Sequence, residues 1–192
     1  PLKATTNMFL DENGKLIPDS NHLTTKSIGV PGTVAGLYLA HQKYGKLPWK
    51  DLVEPSVKLA KDGFEMPWGL YFDILKLVKE DQSNTFINNY FNDANQQITK
   101  PKTLWKQPAL AKTLALIRDK GQDGFYKGKV ADEIENFMKK NGGIITKEDL
   151  AKYTAVEREA IKGTYKGYEI YSMPPPSSGG VALVEMMNMM EL

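Results

Sequence analysis

The chain has 192 residues, a formal net charge of +2 and no cysteine, which excludes disulfides, thiolate nucleophiles and cysteine metal sites. With 41% apolar and 25% charged residues the composition is globular rather than disordered or fibrous, and at ~150 residues per domain the length fits one large domain or a small pair. The apolar runs fall far short of the ~20 residues a membrane span needs, and the sequence opens on no basic-then-apolar export signal.

The stretch before Pro31 is polar and turn-rich, with Asp11-Glu12-Asn13-Gly14 a turn between short extended pieces. A helix is predicted from Thr33: Val34, Leu37, Tyr38 and His41 fall at i, i+3, i+4 and i+7, and Gly45 is its stop. A second helical stretch carries Leu52, Val53, Val57 and Ala60 on one face and closes at Gly63. Pro55 within it is expected at a break or in the first turn of a new helix, because its ring clashes with an interior turn. A third stretch carries Tyr71, Ile74, Leu75 and Val78. Residues 81–103 turn rich in Asn and Gln but hold Phe86, Ile87, Tyr90 and Phe91, which predicts an anchored loop.

Helical periodicity returns from Pro108 with Leu110, Ala111, Leu114 and Ile117 and stops at Gly121. Another helix carries Val130, Ile134, Phe137 and Met138 and stops at Asn141-Gly142. Thr146 followed by Asp149 has the spacing of a capping box, though Glu or Gln is preferred at the third position. From Val156 the pattern turns to strand, and Ile161–Tyr165 and Tyr168–Met173 flank the hairpin signal Lys166-Gly167. Pro174-Pro175-Pro176-Ser177-Ser178-Gly179-Gly180 forces an extended run and a sharp corner. Val181–Leu192 then reads as a methionine-rich helix, apolar around nearly its whole circumference. Such a helix is expected to be buried in a larger body, so the chain is expected to be a slice of a longer one.

Of the 25 basic residues, only Arg118 and Arg158 are arginine, and the lysines alternate with acids, as in Lys147, Glu148, Asp149 and Lys152. Nucleic-acid readers cluster arginine for bidentate contacts, so these are read as solvated faces with no nucleic-acid partner. A hydrolytic triad needs a base, and only His22 and His41 exist. His41 on the apolar face of its helix reads as a satisfied core histidine, His22 as a solvated one, and their separation has no metal-ligand spacing. Glu157 and Glu159 flank Arg158 on an expected strand, where a salt-bridged exposed face outweighs a catalytic carboxylate pair. Gly29-Val30-Pro31-Gly32-Thr33-Val34-Ala35-Gly36 lacks the Lys-Ser/Thr ending of a nucleotide loop, so close packing at a helix start is the better account. Ser177-Ser178-Gly179-Gly180 offers hydroxyls and amides at a helix N-terminus, an anion trap in principle. Its plainer reading is a strand-to-helix corner in which a serine caps the helix.

In order, Val30-Pro31-Gly32-Thr33-Val34-Ala35-Gly36, Tyr44-Gly45, Leu59-Ala60-Lys61-Asp62-Gly63-Phe64, Phe125-Tyr126-Lys127-Gly128, Gly142-Gly143-Ile144-Ile145-Thr146-Lys147-Glu148-Asp149-Leu150 and Tyr168-Glu169-Ile170-Tyr171-Ser172-Met173-Pro174-Pro175-Pro176-Ser177-Ser178-Gly179-Gly180 resemble the large subunit of γ-glutamyltransferase. The resemblance implies an α+β, helix-rich piece of an N-terminal-nucleophile hydrolase with an αββα sandwich, made as a precursor that cuts itself into a large and a small subunit. The small subunit's new N-terminal threonine attacks the γ-glutamyl amide of glutathione and related compounds, and water, an amino acid or a peptide resolves the acyl-enzyme. Its own α-amine can act as general base, so no histidine, metal or cofactor is implied.

No catalytic, substrate-binding or metal residue carries over to this chain. The family's threonine matches sequence beyond Leu192, and Thr5-Thr6 and Thr24-Thr25 lie in other blocks. The arginine that grips the substrate's α-carboxylate belongs to an Arg-Glu motif expected immediately before Pro1. The serine pair and glycine pair of the family's site lie in the small subunit, and Ser177-Ser178 and Gly179-Gly180 match a different block. The expected organisation is one incomplete piece over 1–192: a helical part over about 31–152, a strand unit over about 155–173 and a buried helix over about 179–192. The implied partners are the small subunit, glutathione and acceptor amino acids or peptides, with a periplasmic or secreted location and self-association of the isolated piece through the apolar helix. The alternatives are a related autoprocessing glutaryl-type acylase and a non-catalytic binding module on the same scaffold.

Overall fold

The computed structural model describes residues 1–80, 90–92 and 97–191; Phe86, Ile87 and Leu192 lie outside them. Described contacts gather into two compact units, Pro1–Thr154 and Ala155–Leu192. The architecture is helix-rich α+β.

In the first unit, α1 (Thr33–Tyr44) ends at Gly45, and α2 (Trp49–Asp62) ends at Gly63. Pro55 does not break α2: the helix runs through it, although the ring forfeits one backbone hydrogen bond. Packing of α2 along α4 (Pro108–Lys120) outweighs that loss. Arg118 on α4 fastens the pair, reaching Glu54 of α2 at 2.6 Å and its neighbour Asp119 at 2.8 Å. The strands β1 (Phe64–Glu65) and β2 (Leu104–Trp105) pair antiparallel, Phe64 opposite Trp105. With α3 (Trp68–Glu80) they close a core of Met66, Ile74 and Trp105, onto which Phe91 and Ile98 also pack. The loop expected over 81–103 is thus anchored at its described residues, Tyr90 and Phe91 both lying against the Trp105 ring. After α4 come a short α5 (Asp123–Tyr126), which the sequence pattern did not announce, then α6 (Lys129–Lys140) and α7 (Lys147–Lys152).

The second unit is a hairpin and a helix. β3 (Ile161–Tyr165) and β4 (Tyr168–Ser172) pair with Tyr165 opposite Tyr168. Lys166 (φ 47°) and Gly167 (φ 81°) form the primed turn that suits the strand twist. Residues 155–160 carry no strand, so Glu157, Arg158 and Glu159 are exposed coil, a correction to the expected start at Val156. The pattern turns to strand from Val156, but the ladder begins only where β4 supplies a partner. The helix α8 (Gly179–Met190) lies against the hairpin, Val184 so close to Gly163 that a Cβ there would meet it at 2.7 Å. Within the chain α8 buries Gly180 and leaves Met186, Met189 and Met190 51%, 63% and 70% exposed.

Candidate functional site

A polar cluster of the first unit lies where the chain's first residues meet α7. Thr146, extended at φ −116° and ψ 168°, is the N-cap of α7. Its hydroxyl accepts from the Asp149 amide at 3.2 Å, and its own amide donates to Asp149 Oδ2 at 2.8 Å. This is a complete capping box, built with Asp where Glu or Gln is usual. The other carboxylate oxygen, Oδ1, accepts the amide of Leu2 at 2.5 Å from 147 positions away in sequence. Asp149 is 5% exposed. Burial alone pushes its carboxyl up, but the donors from Leu2 and Thr146 outweigh it and hold the group below its ordinary range. Pro1, Leu2, Val30, Asp149, Lys152, Tyr153 and Thr154 surround an open cleft of about 270 Å³ at this point.

Beside it, the N-terminus of α1 is held by a tyrosine distant in sequence. The buried Tyr126 Oη donates to the Pro31 carbonyl at 2.6 Å and accepts from the Ala35 amide at 3.2 Å. It thereby satisfies one of the amides that a helix start leaves without a partner. Burial pushes the Tyr126 phenol above its ordinary pKa. Its ring stacks on Tyr153 with centroids 5.6 Å apart. Tyr153 in turn presses on Gly32, where a Cβ would come within 2.2 Å of the tyrosine hydroxyl. The start of α1 is therefore close-packed at Gly32, which Tyr153 covers, with the Ala35 amide already taken by Tyr126, while Gly29 and Gly36 face open space.

Chemically these groups fasten. A general base needs an accessible lone pair within reach of a substrate proton; Asp149 is buried and both its oxygens already accept hydrogen bonds. The Thr146–Asp149 spacing made the cap legible in sequence. The reach to Leu2 and the role of Tyr126 carried no local signal, because both depend on tertiary approach.

The sequence-predicted candidates do not converge. His22 is exposed and pairs with Asp19 at 3.2 Å. His41 packs edge-on against Trp49, with Nε2 at 2.8 Å from the Leu47 carbonyl, but its buried Nδ1 has no partner among the described residues; it is half satisfied. The Thr24 and Thr25 hydroxyls donate to the carbonyls of Ser20 and Asn141, and Thr5 and Thr6 are exposed. At Ser177-Ser178-Gly179-Gly180 the corner forms, but no serine caps it: Ser178 at the N-cap is in helical conformation and makes no side-chain cap bond. The corner depends instead on Gly180, where a Cβ would sit 2.2 Å from the Met173 carbonyl oxygen. Among the described residues, no three His, Cys, Asp or Glu side chains come together to hold a metal ion.

The model of the gamma-glutamyltranspeptidase family matches residues 1–192. The chain is 47% identical over its whole length to the glutathione hydrolase proenzyme of Escherichia coli K12 and covers 33% of that protein. It is 41% identical to the glutathione hydrolase proenzyme of Bacillus subtilis 168, again over its whole length and 32% of the relative. It thus spans about a third of the length of these curated relatives. Among solved structures it superposes on the gamma-glutamyltranspeptidase of Helicobacter pylori with a TM-score of 0.92 and 42% identity, over all of this chain and 55% of that one. A cephalosporin acylase from Bacillus halodurans matches 77% of the chain and 29% of its own, at 26% identity and a TM-score of 0.69. The sequence blocks, the fold and a family match along all 192 residues agree: this chain belongs to the gamma-glutamyltranspeptidase family.

Proposed function

We propose that this chain serves an enzyme that cleaves the γ-glutamyl amide of glutathione and related compounds and passes the γ-glutamyl group to water, amino acids or peptides. The observation that carries this reading is the 47% identity, over the whole chain, to a glutathione hydrolase proenzyme. In this mechanism the nucleophile is an N-terminal threonine of a small subunit cut from the same precursor. Its α-amine takes the hydroxyl proton as the oxygen attacks the amide carbon, and returns it to the departing amine. Water or an acceptor amine then attacks the acyl-enzyme and releases the threonine.

On this reading the 192 residues supply scaffold and no reacting group. Their nearest link to the substrate is the segment entering at Pro1, ahead of which the resemblance puts the arginine that reads the donor's α-carboxylate. The partners are the small subunit, the γ-glutamyl donor and its acceptor, and the location is periplasmic or secreted. The described residues contain no helix long and apolar enough to cross a membrane. The test compares purified residues 1–192 with the processed full-length protein on a γ-glutamyl anilide. Chromophore release is expected from the full-length protein alone; release by the isolated piece would refute the scaffold role. The likeness to a cephalosporin acylase supports a second reading, a glutaryl-type amide acylase. Assaying glutaryl and γ-glutamyl anilides side by side decides, since only a γ-glutamyl enzyme needs the donor's α-amino acid group.

A further inference from the structure

The sequence has two Asn-Gly steps, Asn13-Gly14 and Asn141-Gly142. A glycine lets its amide nitrogen come close to the preceding side chain, because it carries no Cβ. The two steps hold that nitrogen differently. In the turn before Leu16 the Gly14 amide donates to the Asp11 carbonyl at 3.0 Å, and the Asn13 and Lys15 amides both donate to Asp11 Oδ1 at 2.9 Å. At the end of α6, Asn141 is the C-cap at φ −110° and ψ 15°, followed by Gly142 at φ 74°. This is a Schellman turn with one of its two bonds in place. The Gly143 amide donates to the Met138 carbonyl at 2.8 Å, but the Gly142 amide, whose partner in the full motif is the Lys139 carbonyl, makes none of the described hydrogen bonds. Asn141 and Gly142 are exposed, and a Cβ at Gly142 would meet nothing within 4 Å. One described bond holds the Asn141 carboxamide, from Nδ2 to the Phe137 carbonyl at 2.8 Å.

We propose that Asn141-Gly142 is a self-modification site, at which Asn141 becomes aspartate or isoaspartate with water as co-reactant. Fraying of the last helical turn swings the Gly142 nitrogen toward the side chain. That nitrogen gives up its proton and bonds Asn141 Cγ. The Cγ–Nδ2 bond breaks, Nδ2 takes up a proton and leaves as ammonia, and a succinimide ring closes. Water then opens the ring at either carbonyl, leaving an aspartate or a main chain that runs on through the former side chain. Either product sets a carboxylate at the C-terminus of a helix, where the dipole disfavours negative charge, and removes the donor to Phe137. The isoaspartyl link also lengthens the main chain just before Gly143, whose amide holds Met138. Because the Asn141 carbonyl accepts the Thr25 hydroxyl at 2.6 Å, the change loosens the Thr25 tie along with the end of α6. At Asn13-Gly14 the same attack must first take the Gly14 amide from Asp11 in a turn whose neighbouring amides are also engaged.

The test incubates the full-length protein at mildly alkaline pH, folded and in urea, and maps mass gains to residues. In urea both steps are expected to gain one mass unit at similar rates. In the folded protein Asn141 is expected to convert several-fold faster than Asn13, with the aspartyl and isoaspartyl products separated by chromatography. Asn141→Gln, whose longer side chain closes the ring poorly, is expected to abolish the gain at that position. Asn141→Asp, which has the charge of the products, is expected to speed amide exchange at Gly143. Conversion at Asn13 as fast as at Asn141, or an Asn141 that stays intact while the urea sample converts, overturns the proposal. A gain at position 141 that survives Asn141→Gln overturns it as well, and unchanged Gly143 exchange in Asn141→Asp overturns the loosening of α6.

Discussion

At the scale of single residues, Tyr126 shows how one hydroxyl can stand in for a local cap. The N-cap of α1 is Gly32, which has no side chain to offer, and the proton acceptor comes from 91 residues away. Tyr126→Phe would leave the Ala35 amide and the Pro31 carbonyl without their partner. At a site where Ala35 is 2% exposed this is expected to cost about 1–3 kcal/mol, read as a lower urea midpoint. The pH dependence has a definite sign. Burial raises the phenol's folded pKa above its unfolded value, so its contribution is complete below the unfolded pKa of roughly 10 and disappears as pH rises through the folded one. The wild type is therefore expected to lose stability on the alkaline side more steeply than Tyr126→Phe, in urea titrations repeated between neutral and alkaline pH.

At the scale of elements, the corner between β4 and α8 separates two glycines that look alike in sequence. A Cβ at Gly179 would meet only Ser177 Oγ at 3.6 Å, an ordinary contact, whereas one at Gly180 would strike the Met173 carbonyl oxygen. Gly180→Ala is expected to destabilise the second unit by about 1–3 kcal/mol, seen as faster amide exchange across β3 and β4, while Gly179→Ala changes little. This difference is invisible in the sequence, because it depends on a backbone carbonyl that folds back onto the helix. Other boundaries were legible for local reasons: Gly45, Gly63 and Gly121 end α1, α2 and α4, and Lys166-Gly167 makes the hairpin turn. The errors have a common physical source. Pro55 was tolerated because packing outweighed one lost bond, residues 155–160 formed no strand for want of a partner, and Ser178 sat in helical conformation where its side chain does not cap. The paired two-residue strands β1 and β2 were too short to leave a period, and the Asp149–Leu2 clasp joins residues that no window spans.

At the scale of the molecule, the described residues leave apolar side chains open to solvent. As a helix-rich part of an N-terminal-nucleophile hydrolase fold that spans about a third of its relatives' length, it has a ready reason to carry faces made for contact. One such face lies on α8, where Met186, Met189 and Met190 stand open. Contiguous apolar surface of this kind seeks cover, and flexible thioether side chains adapt to whatever supplies it. In the isolated chain a second copy is an available source. Residues 1–192 are therefore expected to dimerise or associate further, with a weight-average mass by light scattering that rises with concentration. Met189→Lys, which sets a charge in the middle of the exposed face, is expected to shift that rise to higher concentration without altering the hairpin's exchange. A mass that stays at 21.5 kDa across the whole range would show that the methionine face stands in water without a second copy, and the expected association would have to be withdrawn.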